Sequence, residues 1–268
     1  MAQDDNSARY LSEVSGIEET MNPKWQRHLP VTAPLDWLRL GWRDLLTQPF
    51  PSLVYGFVVF VLAATAVVTL FRSGLDYLIF PVMAGLLIVA PLFAAGLYAK
   101  SRTVAAGGRI TLGAMLGVRP LGGKQVFFTG MVLCILMLVW MRAAVIIYAL
   151  FFGVNPFPGL DGIVSLLLTT PEGWGMLLVG FGVGALFAGF AFAIGVFSIP
   201  MLLDQRVDAF TAMGVSAAMV WNNLRPMLVW GAIVMVLFVA SVLTGFAGLI
   251  VVFPLLGHAT WHAYTAVR

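Results

Sequence analysis

Five long apolar stretches organise the chain: Pro51 to Phe71, Leu75 to Ala99, Val126 to Phe152, Gly175 to Leu203 and Met227 to Tyr264. A bilayer core of about 30 Å is crossed by roughly 20 apolar residues in a helix. The last stretch would be about 57 Å long as one helix, and its middle reads LTGFAG (Leu243 to Gly248), where two glycines permit a tight turn. It therefore divides into spans near Met227–Leu243 and Gly248–Tyr264, which makes six. The pattern predicts an all-α, polytopic integral membrane protein.

The polar remainder orients it. With six spans, both termini share one side, together with Arg9, Lys24, Arg27, Arg39, Arg43, Lys100, Arg102, Arg109, Arg119, Lys124, Arg206, Arg225 and Arg268. The other side keeps Arg72, close to Asp76, and a loop from Gly153 to Trp174 with Asp161, Glu172 and no base. Basic residues accumulate in cytoplasmic loops, so both termini are expected in the cytoplasm, with the chain in a bacterial inner membrane. A five-span reading would put Arg268 outside.

The spans repeat. Leu35, Leu38, Trp42, Leu45 and Leu46 align at one offset with Phe210, Met213, Ala217, Val220 and Trp221. The register continues through Pro51/Pro226, Leu53/Leu228, Tyr55/Trp230 and Gly56/Gly231. Such spacing lines one face of a helix, and proline disfavours helical geometry in the residue before it. The segment predicts an amphipathic helix on the cytoplasmic surface, a bend, then entry into the membrane, with Trp37, Trp42, Trp221 and Trp230 suited to headgroup depth. ITLGAMLGVRP followed by KQVFFTG is a weaker copy. The return spans GLLIVAPLFAAGLY, GVFSIPMLLDQRV and GLIVVFPLLGHATW each carry a glycine five or six residues before a proline. Three hairpin modules follow, about 34–99, 109–207 and 208–264, behind a polar tail of residues 1–33.

Composition narrows the function classes. Of the 268 residues 60% are hydrophobic and 10% charged, the net charge is +3 and mean hydropathy is +0.96. Soluble domains carry about 25% charged residues, so a soluble, disordered or nucleic-acid-binding protein is excluded and the lipid bilayer is the first partner. Twelve of the charged side chains fall in the first 50 residues, with no basic segment leading into an apolar run. The start is thus not a cleaved secretory signal.

Candidate chemistry is sparse. Four and eight residues after the return-span prolines stand Ala95 and Ala99, Asp204 and Asp208, and His258 and His262. Two histidines one turn apart can chelate a metal, and if the modules share an axis these four residues would form a two-His, two-carboxylate site for a transition metal. The plainer reading is interfacial polarity where helices leave the membrane. Arg142 is the one charge well inside an apolar run; it either snorkels to the outer surface or faces a substrate path or partner subunit. Cys134, the single cysteine, and the scattered methionines read as packing. No catalytic motif appears, so no enzymatic activity and no resident cofactor are expected.

The segments PLDWLRLGWRDLLTQPFPSLVYG, APLFAAGLYAKSR, SIPMLLDQRVDAFTAM and GLIVVFPLLGHATWHAY together resemble a bacterial family of predicted integral membrane proteins of unknown function. Some of its members carry the label of a cytochrome c oxidase subunit. The resemblance covers Pro34 to Tyr264 and implies no activity. With three histidines in all, a haem–copper centre cannot be built, so the label implies at most a partner of a respiratory complex. The leading expectation is a non-catalytic structural, assembly or accessory component of a membrane complex. The alternatives are a small solute transporter or channel and a metal-binding membrane protein.

Overall fold

Helices α1 (Ala33–Thr47), α2 (Pro49–Arg72), α3 (Ile79–Phe93), α4 (Ala95–Ala105), α5 (Leu112–Leu116) and α6 (Gln125–Phe152) make the first half of the computed structural model. They are followed by α7 (Gly159–Thr169), α8 (Pro171–Gly195), α9 (Ser198–Asp204), α10 (Ala209–Asn222), α11 (Leu224–Leu243) and α12 (Leu249–Val267). The structure describes residues 27–153 and 157–268, without the side chains of 160 and 161, and no strand occurs among them. The tail before residue 27, with Arg9 and Lys24, lies outside the described residues, as does the side chain of Asp161.

Among the described residues, five segments are long and apolar enough to cross a membrane: Pro49–Arg72, Asp76–Phe93, Gln125–Phe152, Pro171–Asp204 and Leu224–Leu243. The protein is a polytopic membrane protein. The sixth expected span, α12, is of a different kind. Its last three turns carry His258, Thr260 and His262 and are buried by α1, α2 and α4. The loop expected between the third and fourth spans holds a further eleven-residue helix, α7.

Local sequence explains the breaks. Gln48 leaves helical geometry between α1 and α2 at φ −143°, ψ 79°, and Asn223 does so between α10 and α11 at φ −127°, ψ 38°. Pro49 and Pro51 begin α2, where the missing N–H costs nothing. Pro91 ends the return span α3, and the chain breaks at Ala94; α8 breaks at Val196 and Phe197, ahead of Pro200. Around Pro254, α12 runs unbroken. The turn from α11 to α12 uses Gly245 and Phe246, both at positive φ, with the Phe246 N–H closing on the Ser241 carbonyl at 2.8 Å.

Three side-chain amides stand at the junctions into α2, α6 and α11, and each accepts a backbone N–H from elsewhere in the chain. Gln48 accepts from Ile110 at 3.1 Å, just before α5. Gln125 accepts from Ala209 at 3.1 Å, the first residue of α10. Asn223 accepts from Arg27 at 3.2 Å, ahead of α1. The amides thus tie the helix breaks to segments far away in the chain: Gln48 to the start of α5, Gln125 to α10, and Asn223 to the segment ahead of α1.

Helix α12 packs closely on α1 and α2 because two glycines admit its backbone. A Cβ on Gly41 would stand 2.6 Å from the Ala259 nitrogen, and one on Gly56 would stand 2.2 Å from the Ile250 carbonyl oxygen. The main core gathers here, around Leu97, Phe197, Met219, Trp230 and Tyr264. It fills the place where the hairpins meet. Of the stripe predicted on α1, Leu35, Trp42 and Leu46 are exposed, Leu38 is half-buried and Leu45 is buried, so the stripe is divided between the outer surface and the core. The four tryptophans do not behave alike: Trp42 and Trp221 are exposed, whereas Trp37 and Trp230 are buried edge to face, 5.9 Å apart. The Gly41 and Gly56 approaches draw α12 in beneath α1, and Trp37 turns inward with them.

Candidate functional site: a buried hydrogen-bond relay

Asp44 on α1, Ser52 on α2, Lys100 and Ser101 on α4, and His258 and His262 on α12 meet at the end of the bundle where α1 lies. The first five are buried, and Lys100 has no exposed surface at all. Unpaired buried polar groups are costly, so the partners matter.

The Lys100 ammonium donates to the Gln48 carbonyl at 2.5 Å and to Ser52 Oγ at 2.7 Å. Ser52 Oγ lies 2.9 Å from His258 Nε2, and His258 Nδ1 lies 2.8 Å from Ser101 Oγ. Ser101 stands beside the Asp44 carboxylate, whose Oδ2 is 2.8 Å from His262 Nε2.

The end groups set the sense in which a continuous relay runs. An ammonium only donates and a carboxylate only accepts. In a continuous relay Ser52 accepts from Lys100 and gives its own proton to His258 Nε2, so that Nδ1 carries the ring proton and donates to Ser101, whose hydroxyl is left for the neighbouring Asp44. Each hydroxyl and ring nitrogen is used once in each required sense. A buried cation and a buried anion are thereby joined through three neutral side chains.

Burial pushes the Lys100 ammonium down to about 8, against the pull of Asp44. At Asp44 burial pushes upward, but the hydrogen bonds from His262 and Ser101 outweigh it and hold the carboxyl below its ordinary 3.8. The relay therefore rests with Lys100 charged and Asp44 ionised at neutral pH.

The four residues predicted to share a metal are not brought together. His258 is engaged by the two serines and His262 by Asp44. Asp204 pairs with Arg268 and accepts from the Tyr264 hydroxyl at 3.3 Å. Asp208 caps α10, accepting the Thr211 N–H at 2.9 Å, and this bond with the Thr211 hydroxyl lowers its carboxyl from 3.8. Among the described residues no group of three or more His, Cys, Asp or Glu is placed to hold a metal ion. The reason is spacing: α9 ends at Asp204, so Asp204 and Asp208 lie on different elements rather than one helical face.

Arg142 sits on the outward face of α6 with Leu138 and Ile146, exposed and without an acceptor among the described residues. Cys134 is also exposed on α6.

Asp44, Ser52, Lys100 and Ser101 were not predicted as site residues. One signal for two of them lay in the repeat, where Asp44 and Ser52 align with Met219 and Met227, apolar and buried. Lys100 looks like any basic residue at a cytoplasmic edge, and nothing local separates it from Arg102.

No curated protein and no solved structure matches the chain. Residues 79–204, from the start of α3 to the end of α9, match the model of a family described as predicted integral membrane protein (DUF2189), the kind of family that the sequence resembles.

Proposed function

We propose that the protein is a non-catalytic accessory or assembly component of a larger membrane complex, held through the outward face of α6. The observation that carries this reading is Arg142. It does not line the interior of the bundle but stands among Leu138, Val139 and Ile146 on exposed surface. A cation at membrane depth is costly, about 2.5–3.5 kcal/mol at a bilayer centre, and commonly marks a partner. An acidic or carbonyl-rich face of a neighbouring subunit supplies that partner.

Two further observations support it. Only 11–22% of the residues in the most apolar window of each span are buried, which leaves wide faces for other subunits. The relay, in contrast, is enclosed and offers no substrate a route to its serines. The distribution of basic residues supports an inner-membrane location with α1, α4, α5 and α10 on the cytoplasmic side. A respiratory oxidase is the complex suggested by the label on similar proteins, and this reading assigns the chain no part in its electron transfer.

The test is native gel analysis of membranes solubilised in mild detergent, comparing the parent with Arg142→Ala and Arg142→Lys. The parent migrates as a discrete high-mass assembly, Arg142→Ala releases it at unchanged thermal stability, and Arg142→Lys largely retains it. A parent that migrates alone, or an assembly indifferent to Arg142→Ala, overturns the reading.

A further inference from the structure

The spans enclose an apolar groove of about 1430 Å³, walled by α3, α6 and α8 on one side and by α11 and α12 on the other. Ligand pockets commonly measure about 300–1,000 Å³, so this one accommodates a long molecule. Helix α11 packs mainly on α1, α10 and α12. Because α3, α6, α8 and α11 belong to segments long and apolar enough to cross a membrane, the mouth opens among acyl chains.

Its inner end is not wholly apolar. Trp230, Tyr98 and Thr260 line it. Trp230 is fully buried, and its indole N–H has no acceptor among the described residues. A buried donor left unmatched is costly. Trp230 falls in the second turn of α11 and touches Trp37 of the interfacial helix α1, which sets it near the depth of glycerol-ester carbonyls.

We propose that the groove is a binding site for one resident phospholipid, with an acyl chain along α8 and α11 and its ester carbonyl accepting the Trp230 N–H. The inference is independent of the proposed assembly role, since Arg142 lies outside the groove. An acyl chain matches an apolar lining that offers a partner helix no polar handhold, and the ester supplies the one acceptor the site lacks.

The test uses vesicles containing phosphatidylcholine with a photoactivatable diazirine on one acyl chain, with crosslinks mapped by mass spectrometry. Native mass spectrometry in parallel counts lipid retained per chain. Crosslinks are expected on groove residues such as Ala188 and Val234, with one lipid retained. Gly231→Leu fills the groove without a backbone collision, because a Cβ there meets nothing nearer than 3.9 Å. Gly180→Leu adds a side chain where a Cβ meets nothing within 4 Å. The double variant is expected to lose the groove crosslinks while keeping those on Leu138 and Val139. Trp230→Phe keeps the ring but not the donor, and is expected to retain lipid about fivefold more weakly, the effect of about one hydrogen bond. Crosslinks confined to the outward faces, retention unchanged in a folded double variant, or a second polypeptide in the groove would each overturn the proposal.

Discussion

Gln48 and Asn223 hold the same place in two copies of a repeated segment, and each accepts a backbone N–H that opens another part of the chain. Gln125 does the same at the third junction. A helix break leaves backbone groups without intrahelical partners, and an amide beside the break can reach across to a neighbouring segment. The three bonds tie each break to a distant segment, which couples the positions of those segments at one end of the bundle.

Removing one of these acceptors strands a backbone donor. Gln48→Ala and Gln125→Ala are each expected to lower stability by about 1 kcal/mol, read as a lower midpoint of thermal unfolding in detergent micelles. Gln48→Glu keeps an acceptor and is expected to lose less. Equal stability of Gln48→Ala and the parent would show that the Ile110 N–H finds water instead.

The relay predicts that Lys100 and Asp44 act together although three side chains separate them. Lys100→Met leaves Ser52 short of a donor and Asp44 without a compensating charge, at a cost of about 3–5 kcal/mol, the range for breaking a buried pair. In a double-mutant cycle with Asp44→Asn, an interaction of about 1 kcal/mol or more is expected, larger than distant independent sites show. Additive effects would mean that the chain of hydroxyls and imidazole carries no coupling.

Lys100 also fixes the sign of a pH effect. Its folded value near 8 lies below the ordinary 10.5. Between the two, the unfolded chain binds the proton that the folded chain has released, so stability rises with pH. Unfolding midpoints measured from pH 7.5 to 9.5 are expected to climb in the parent and to climb less in Lys100→Met. Asp44 works at the other limit: its lowered carboxyl contributes stability above 3.8 that is lost as pH falls through its folded value. A flat alkaline profile would place the Lys100 ammonium in water rather than in the core.

Two matched glycines give a paired test. Gly56→Ala drives a methyl into the Ile250 carbonyl, whereas the aligned Gly231→Ala has Phe192 as its nearest neighbour, 3.9 Å away. The first is expected to cost about 1–3 kcal/mol, the range for overpacking. The second is expected to change stability little. Similar behaviour of both would mean that α12 is not held against α2 as closely as the geometry requires.

The aligned glycines also mark how far the sequence could be followed. Their shared register was legible, along with the apolar stretches, the turn at Gly245 and the membrane class. These are local properties: span length, helical period and backbone freedom act within a few turns, so one dimension suffices to read them. The fate of α12 was not legible in this way, because its apolar first half resembles a span and only its neighbours bury the polar second half.

The site shows the same division. His258 and His262 stood out as a pair one turn apart, yet their partners come from α1, α2 and α4, far away in the chain. Asp204 and Asp208 stood out by the same count, but the end of α9 after Asp204 sends them to different tasks. The amino-acid order by itself determined a polytopic helical chain with repeated entry segments. Tertiary packing decided which polar residues meet, because a hydrogen bond depends on separation in space to within a few tenths of an ångström. Only the close approach of α12 at Gly41 and Gly56 brings Lys100 and Asp44 into one network.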